Sequence, residues 1–276
     1  MATKTIPSIE PAVERFIQVT DVKARLLEAG EGIPTICIHG VGFTSSGESW
    51  LPAIRAGLAD GLHIYALDNV GWGMGDRPDF EYSLYYFVDF IREIQDQLGY
   101  AKTNIIGHSL GGWIAANFAY ESPNRVRKLV LDNIAGMNAT PPDAVANFTP
   151  PDEARVRTQV EANFRPEDQE DQFQFQWRNA NQPGGADAFR KITGHLNDPI
   201  MRRRYHLGRR LNKISVPTMV CWGELGNPLF PLTAGQEIAS KIPGSELVVV
   251  AGGTHFTMQG KPEEFVQAVH GFLTSD

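Results

Sequence analysis

Short runs of consecutive apolar residues alternate along this chain with segments in which apolar residues recur at helical spacing. The apolar runs are typical of strands that are buried on both faces of a parallel sheet. They occupy residues 34–38, 63–68, 126–132, 216–223 and 247–250. Helical spacing covers residues 84–98, 113–120, 232–241 and 262–273. Residues 15–19 and 22–27 instead alternate apolar and polar positions, which predicts an antiparallel pair. This order predicts an α/β fold whose twisted, mostly parallel sheet carries helices on both faces.

The alternation stops between residues 136 and 210. In this stretch prolines cluster, and aromatic residues recur among short helical segments. We therefore predict a helical lid at residues 136–210, inserted into a core that is made of residues 1–135 and 211–276. Residues 202–204, three consecutive arginines, are expected to form a solvated face near the end of this lid.

The composition is that of an ordinary globular chain. Of 276 residues, 42% are hydrophobic and 21% are charged, which is enough for a large core. The formal net charge of −7 argues against a nucleic-acid partner, because phosphate binding needs a basic field. No apolar run is long enough to span a membrane, and the first residues lack the apolar core of a secretory signal. We therefore expect a cytoplasmic protein without a membrane partner. Cys37 and Cys221 lie in apolar runs and are expected to be buried and unpaired.

Residues 107–111 (Gly-His-Ser-Leu-Gly) are the clearest chemical motif. They match the G-x-S-x-G pattern of a nucleophile elbow, and they lie between an apolar run and an apolar helix. In such a tight turn a Cβ at either glycine would clash with its neighbours. The turn leaves the Ser109 hydroxyl beyond the sheet, at a helix N-terminus whose N–H groups can stabilise an oxyanion. The alternative is a glycine-rich turn whose serine only caps the helix.

Three further motifs accompany this turn. They are His-Gly-Val-Gly at residues 39–42, Trp-Gly at residues 222–223 and Gly-Thr-His at residues 253–255. In order and spacing the four pieces resemble the α/β-hydrolase superfamily, and the resemblance covers nearly the whole core. It implies the α/β-hydrolase fold, a small-molecule substrate and no cofactor or metal ion. A homodimer is common in that superfamily, although the sequence contains no interface signal.

The resemblance also implies a set of catalytic groups. Ser109 would be the nucleophile, and His255, on a loop after the last strand, would be the general base that activates it. The backbone N–H of Leu110 and one from Gly42 or Val41 would form the oxyanion hole.

A narrower resemblance connects the chain with the carbon–carbon hydrolases that cleave meta-ring-fission products of aromatic degradation. It rests on residues 28–32, 39–50, 68–73 and 79–83, and on an arginine that precedes a Gln-Pro step in the lid. That family places there an arginine that binds the dienoate carboxylate.

This narrower resemblance implies a mainly apolar pocket with one anion-binding group, Arg178, and with Trp177 in its wall. The sequence also departs from the family pattern. It has His108 where the family usually has Asn before the nucleophile, Phe256 where it has Trp, and Ser49 where it has Asn. Because these positions line the pocket in the family, His108 and Phe256 are expected to contact the substrate, and that substrate can differ from theirs.

The acidic member of the catalytic triad is ambiguous. Asn227 stands where the superfamily pattern places an aspartate, and an amide cannot stabilise an imidazolium as a carboxylate does. Glu224 is a nearby carboxylate. Asp132, at the end of the strand after the elbow helix, matches the acid position of some lactonases and of the cofactor-free ring-cleaving dioxygenases. We favour Asp132 as the group that orients His255.

These observations predict a cofactor-free serine hydrolase of a small organic carbonyl compound. Hydrolysis of a C–C bond next to a ketone in an aromatic ring-fission product is the favoured reaction, and ester or lactone hydrolysis is the alternative. Two other classes stay open. One is a cofactor-free dioxygenase in which His255 deprotonates the substrate, and the other is a non-hydrolytic small-molecule receptor, which the amide of Asn227 would suit.

Overall fold

The computed structural model describes residues 7–138 and 148–276 and centres on one eight-stranded sheet. The spatial order of its strands is β1-β2-β4-β3-β5-β6-β7-β8. The first two strands are antiparallel to their neighbours, and β3 to β8 run parallel. The strands are β1 Val13–Val19, β2 Val22–Ala29, β3 Ile33–Ile38, β4 Leu62–Leu67, β5 Thr103–His108, β6 Val126–Asp132, β7 Thr218–Gly223 and β8 Glu246–Val250. The predicted α/β-hydrolase architecture and the antiparallel pair are confirmed.

Helices cover both faces of the sheet, and two large apolar clusters lie between them and the strands. The described helices are α1 Leu51–Ala53, α2 Leu84–Gln97, α3 Leu110–Glu121, α4 Glu153–Asn163, α5 Gln169–Ala180, α6 Gly185–Asn197, α7 Pro199–Arg204, α8 Leu232–Lys241, α9 Thr257–Gly260 and α10 Pro262–Thr274. A side-chain N-cap explains why α2 begins at Leu84: the Ser83 hydroxyl accepts a hydrogen bond from the Tyr86 N–H at 3.1 Å. Both cysteines are buried and free, as predicted.

The segment between β6 and β7 contains the helices α4 to α7 and no strand among its described residues. Its helices α4, α5 and α6 are 11 to 13 residues long, so they are longer than the short stretches expected from the sequence. The start of the predicted lid includes residues 139–147, which lie outside the described residues. Its boundaries therefore stay a prediction.

A buried ionic network ties the sheet to this segment. The Arg25 side chain is only 1% exposed, and its guanidinium contacts Glu48 at 2.7 Å and Asp68 at 3.2 Å. Arg178 of α5 forms an ion pair with the same Glu48 carboxylate. Burial alone would raise the pKa of Glu48, but the charges of Arg25 and Arg178 outweigh burial and hold this pKa at about 2.

Replacing Glu48 by Gln should destabilise the fold by about 3 kcal/mol at pH 7, because it removes one partner from a buried pair. The pKa of Glu48 is lower when folded than its ordinary 4.5, so the ion pair stabilises fully above pH 4.5 and is lost as the pH falls towards 2. In urea unfolding, the difference in the free energy of unfolding between the native protein and Glu48→Gln should therefore shrink as the pH is lowered. Glu14→Gln is the matched control, because Glu14 binds the same guanidinium at 2.6 Å from an exposed position. An equal loss in both variants would contradict this account.

Candidate functional site

Ser109 lies on a sharp turn between β5 and α3. Its backbone has φ 54° and ψ −114°, a strained conformation for a residue with a Cβ. The turn is closed by the Ser109 N–H, which donates to the Asp132 carbonyl oxygen at 3.0 Å, and by the N–H of Ala135, which donates to the Ser109 carbonyl oxygen at 3.0 Å. The two flanking glycines are required. A Cβ on Gly107 would lie 2.4 Å from the Gly111 carbonyl oxygen, and one on Gly111 would lie 2.2 Å from the Ile38 carbonyl oxygen.

The turn opens into a cavity of about 310 Å³ between the sheet and the segment that contains α4 to α7. Most of the residues predicted to be catalytic, to form the oxyanion hole or to contact the substrate lie on its wall. They are Ser109, His255, His108, Leu110, Gly42, Val41 and Phe256. The wall also includes residues that the sequence analysis did not select, namely Trp113, Asn138, Leu196, Arg202, Leu229 and Phe230. A serine, two imidazoles and a guanidinium therefore share one largely apolar chamber.

His255 lies on the loop that follows β8. Its ring stacks on Phe230 with centroids 4.0 Å apart, and its centroid is 4.8 Å from that of His108. Its Nδ1 atom is buried and has no hydrogen-bond partner among the described residues. Burial, followed by repulsion from His108, lowers the pKa of His255 well below 6.5. His255 is therefore neutral at pH 7, which is the form that can accept a proton.

Asp132 contacts a different imidazole from the one predicted. Its Oδ2 accepts a hydrogen bond from His108 Nδ1 at 2.8 Å, and its Oδ1 accepts from Thr257 Oγ1 at 2.7 Å and from Asn133 Nδ2 at 2.9 Å. The expected contact between Asp132 and His255 is absent from the described residues. The reason is geometric: His108 is the last residue of β5 and pairs in register with Asp132 on β6, so the two side chains lie side by side.

The other two candidates for the acid also do not bind His255. Glu224 is exposed, and its Oε2 accepts the N–H of Gly252 at 2.8 Å. Asn227 lies on the cavity wall, where its Oδ1 accepts the N–H groups of Leu229 at 2.8 Å and Phe230 at 3.0 Å. Asn227 thus holds the loop that carries Phe230, the ring on which His255 stacks. The side-chain oxygen of Asn227 is therefore used in hydrogen bonds within this turn.

The two residues predicted for the lid wall lie away from the cavity. Arg178, the predicted anion-binding group, forms an ion pair with Glu48 and is not among the residues that line this chamber, so its role in binding substrate stays a prediction. Trp177 packs on a small separate cluster around Phe173 and Val160 within the helical segment. Arg178 is paired with Glu48, and Trp177 is packed against other side chains of the helical segment. Neither side chain therefore faces this chamber.

Arg202 supplies the positive charge of the cavity instead. It is 6% exposed, contrary to the solvated face expected for the arginine run. Its Nε donates to the Leu196 carbonyl oxygen at 2.6 Å and its Nη1 to that of Asn138 at 3.0 Å. No carboxylate among the described residues forms an ion pair with it, and burial lowers its pKa. Nothing in the run of three arginines distinguishes Arg202, which is buried, from Arg203 and Arg204, which are exposed.

Within residues 7–138 and 148–276, no group of three or more His, Cys, Asp and Glu side chains is arranged to hold a metal ion. The helices of this part of the chain are also too short or too polar to cross a bilayer.

Comparison with known proteins identifies the family. Residues 34–262 match the family model described as the alpha/beta hydrolase fold. The chain belongs to this family. It is similar to a 2-hydroxymuconate semialdehyde hydrolase of Pseudomonas putida, with 26% identity over 97% of this chain and 96% of the relative. It is also 26% identical to a 2-hydroxy-6-oxo-6-(2'-aminophenyl)hexa-2,4-dienoic acid hydrolase of Metapseudomonas resinovorans, over 95% of this chain and 91% of the relative.

Solved structures show the same fold. A meta-cleavage product hydrolase, CumD, superposes with a TM-score of 0.80 at 25% identity and covers 94% of this chain and 97% of its own. A serine hydrolase involved in carbazole degradation, CarC, superposes with a TM-score of 0.81 at 24% identity and covers 95% of this chain and 99% of its own. The hydrolase fold and the relationship to meta-cleavage product hydrolases, both indicated by the sequence motifs, are confirmed.

The contact between the two imidazoles makes a testable prediction about His255. Its pKa, followed by NMR of the ring protons, should lie well below 6.5 in the native protein. His108→Asn should raise this pKa, because the repulsion from a second ring is removed, but burial should still keep it under the ordinary value. His195→Asn, which lies outside the cavity, is the control and should leave it unchanged. A His255 pKa at or above 6.5 in the native protein would refute the assignment of a buried, neutral imidazole.

Proposed function

We propose that this protein is a serine hydrolase that cleaves the C–C bond next to a ketone in a carboxylated, aromatic ring-fission product. The observation that carries the proposal is the shared cavity wall, on which Ser109, His255 and the backbone of Gly42 and Leu110 meet around one apolar chamber. Relatives that are 26% identical along nearly the whole chain are named for hydrolysis of such dienoates, which supports the same reaction.

Each group has a specific part in the proposed reaction. His255, neutral because it is buried, takes the hydroxyl proton of Ser109 as the oxygen attacks the ketone carbon. The N–H groups of Leu110 and of Gly42 or Val41 stabilise the oxyanion that forms. Collapse of this adduct breaks the C–C bond, whose electron pair passes into the leaving fragment as a conjugated enolate, and the His255 imidazolium protonates that fragment. The acyl group left on Ser109 is then removed by a water molecule that gives a proton to His255. The protein needs no cofactor for these steps.

No carboxylate among the described residues is hydrogen-bonded to His255, and this has a kinetic consequence. In the serine-protease triad, replacing the aspartate by an amide lowers turnover by about 10⁴-fold. Here the imidazole is held by stacking on Phe230 at 4.0 Å instead of by a charge. Because Ser109 must lose its proton to His255 whichever bond is cleaved, we propose that ketones and esters alike are turned over more slowly than by an enzyme with a complete triad.

Arg202 is the proposed anion-binding group for the substrate carboxylate. Its guanidinium lines the chamber and is buried, and two of its nitrogens are fixed by backbone carbonyls. A buried charge without a counter-ion is costly, and an incoming carboxylate would relieve that cost. Arg178 cannot do this because Glu48 already neutralises it.

A substrate panel tests the reaction class. The native protein should cleave 2-hydroxy-6-oxo-6-phenylhexa-2,4-dienoate faster than an aryl ester or a lactone, without consuming oxygen. Ser109→Ala should abolish cleavage, and His255→Asn should slow it by about 10²–10⁴-fold, because a base is lost. Ser83→Ala, which removes only a remote helix cap, is the control. Faster turnover of the ester or lactone would favour the second candidate, a carboxylesterase or lactonase. Oxygen uptake would favour a dioxygenase, and tight binding without turnover a receptor.

Arg202→Gln should raise KM at least tenfold for carboxylated substrates and leave KM for a neutral aryl ester within about twofold, since one charge-assisted hydrogen bond is worth roughly 1.5–3 kcal/mol. Arg203→Gln is the matched control, because Arg203 is the next residue of the same helix, α7, but its side chain is exposed. Steady-state kinetics on the two substrates measure both effects. An equal loss for the neutral ester would show that Arg202 only supports the fold.

A further inference from the structure

Two buried polar side chains on the cavity wall have no partner within the protein. Gln259, in α9, is 6% exposed, and Ser49, in the 3₁₀ helix Gly47–Trp50, is 7% exposed. Both line the chamber that contains Ser109. Among the described residues, neither the amide of Gln259 nor the hydroxyl of Ser49 forms a hydrogen bond. The two short helices that carry them pack against each other, so two unpaired polar groups lie on neighbouring elements.

This lack of partners sets Gln259 and Ser49 apart from the polar groups around them. Residues that precede Ser49 in the chain are hydrogen-bonded to side chains of α5. The pairs are Thr44 with Gln176 at 2.8 Å, Ser46 with Asn179 at 2.9 Å, and the Glu48 carbonyl oxygen with Gln172 at 3.0 Å. Buried polar groups in folded proteins nearly always have such a partner. Because Gln259 and Ser49 border the chamber instead, the partner that completes them would be a ligand.

The polar atoms of the two side chains are accessible from the chamber. Nδ1 of His255 and Nε2 of His108 are unpaired as well, but they are sealed inside the protein. The amide atoms of Gln259 and the hydroxyl oxygen of Ser49 are not sealed in this way. A ligand can therefore form hydrogen bonds with these two side chains without any rearrangement of the wall.

The two side chains offer hydrogen bonds but no charge. Glu48, the carboxylate that precedes Ser49, is neutralised by Arg25 and Arg178. His255 is neutral because burial lowers its pKa. An amide and a hydroxyl can each donate and accept a hydrogen bond, but neither balances the charge of an anion as a guanidinium does. This part of the wall therefore suits a neutral substituent that carries hydrogen-bonding groups.

The pair lies across the nucleophile from the cationic group of the chamber. The two large apolar clusters take alternate residues of each central strand, so they lie on opposite faces of the sheet. Met258, next to Gln259, packs into one cluster, and Met201, next to Arg202, packs into the other. Ser109, at the end of β5, lies between the two faces. A ligand whose anionic group binds Arg202 thus extends past Ser109 towards Gln259.

We propose that Gln259 and Ser49 form a specificity subsite for a neutral hydrogen-bonding substituent, an aromatic amine or hydroxyl, at the end of the substrate remote from its carboxylate. The inference rests on the proposed function, since it takes the substrate to be a ketone that reacts at Ser109 and binds Arg202 by a carboxylate. In such a compound the ketone carbon lies between the carboxylated chain and the second substituent. The groups on the cavity wall follow the same order.

Substrates that differ in one ring substituent test this subsite. The native protein should cleave 2-hydroxy-6-oxo-6-(2'-aminophenyl)hexa-2,4-dienoate with a kcat/KM at least about tenfold higher than that of the 6-phenyl compound, because the unsubstituted ring leaves buried polar groups unpaired. Gln259→Leu should reduce this ratio to less than about threefold, and Ser49→Ala should reduce it in part. Gln267→Leu, which changes an exposed glutamine of α10, is the matched control and should leave the ratio unchanged.

Binding to Ser109→Ala protein separates recognition from bond cleavage. The Kd of the aminophenyl compound should be at least about tenfold lower than that of the phenyl compound. A 6-(2'-carboxyphenyl) analogue should bind more weakly than both, because nothing at this subsite balances a second negative charge. Tighter binding of the carboxyphenyl analogue, or an amine preference that persists in Gln259→Leu protein, would overturn the subsite.

The same measurements distinguish failure of the subsite from failure of the proposed function. Equal cleavage of the aminophenyl and phenyl compounds would overturn the subsite and leave the hydrolase intact. An amine preference in binding, without cleavage of either compound by the native protein, would support the subsite and contradict the hydrolase. Absence of binding for all three compounds would refute both.

Discussion

The close approach of three backbone segments at the nucleophile turn determines the geometry of the whole site. Gly111 contacts the carbonyl oxygen of Ile38 on β3, and Gly107 contacts Gly111, with no room for a side chain at either position. This contact fixes the end of β5 against the start of α3 and forces Ser109 into a strained backbone conformation. The strain is sustained because the sheet and the helix around it are buried and tightly packed. It also places His108 next to Gly40 of the segment after β3, where a Cβ on Gly40 would lie 3.2 Å from His108 Cδ2.

Strand register then decides which imidazole receives the buried carboxylate of Asp132. His108 and Asp132 are register partners at the ends of two parallel strands, so their side chains meet without any help from loops. His255 arrives on a loop from β8 and is held by aromatic stacking. The site thus contains two imidazoles in different surroundings: His255 is packed against aromatic rings, and His108 is hydrogen-bonded to a carboxylate.

Local patterns allowed the sequence to predict the fold and the sharp turn that carries Ser109. Apolar runs identified the parallel strands, and the glycines of residues 107–111 identified the turn, because both signals depend on neighbours in the chain. The partner of Asp132 could not be predicted in the same way. It depends on the register between β5 and β6, which no single segment encodes. A histidine at position 108 and a carboxylate at the end of the next strand were both recognised, but each was interpreted separately.

Arg178 and Arg202 show that burial and pairing, more than position in the sequence, decide which positive charge lies on the cavity wall. Arg178 stands near the family's anion-binding position, yet Glu48 pairs with it and removes its charge from the cavity. Arg202 belongs to a run that looks solvated, yet α7 turns it inward, where backbone carbonyls orient it without neutralising it. A carbonyl dipole can fix a guanidinium in place while leaving its full charge available, whereas a carboxylate cannot. The positive charge on the wall of this cavity therefore depends on the carboxylate partners that Arg202 lacks among the described residues as much as on its location.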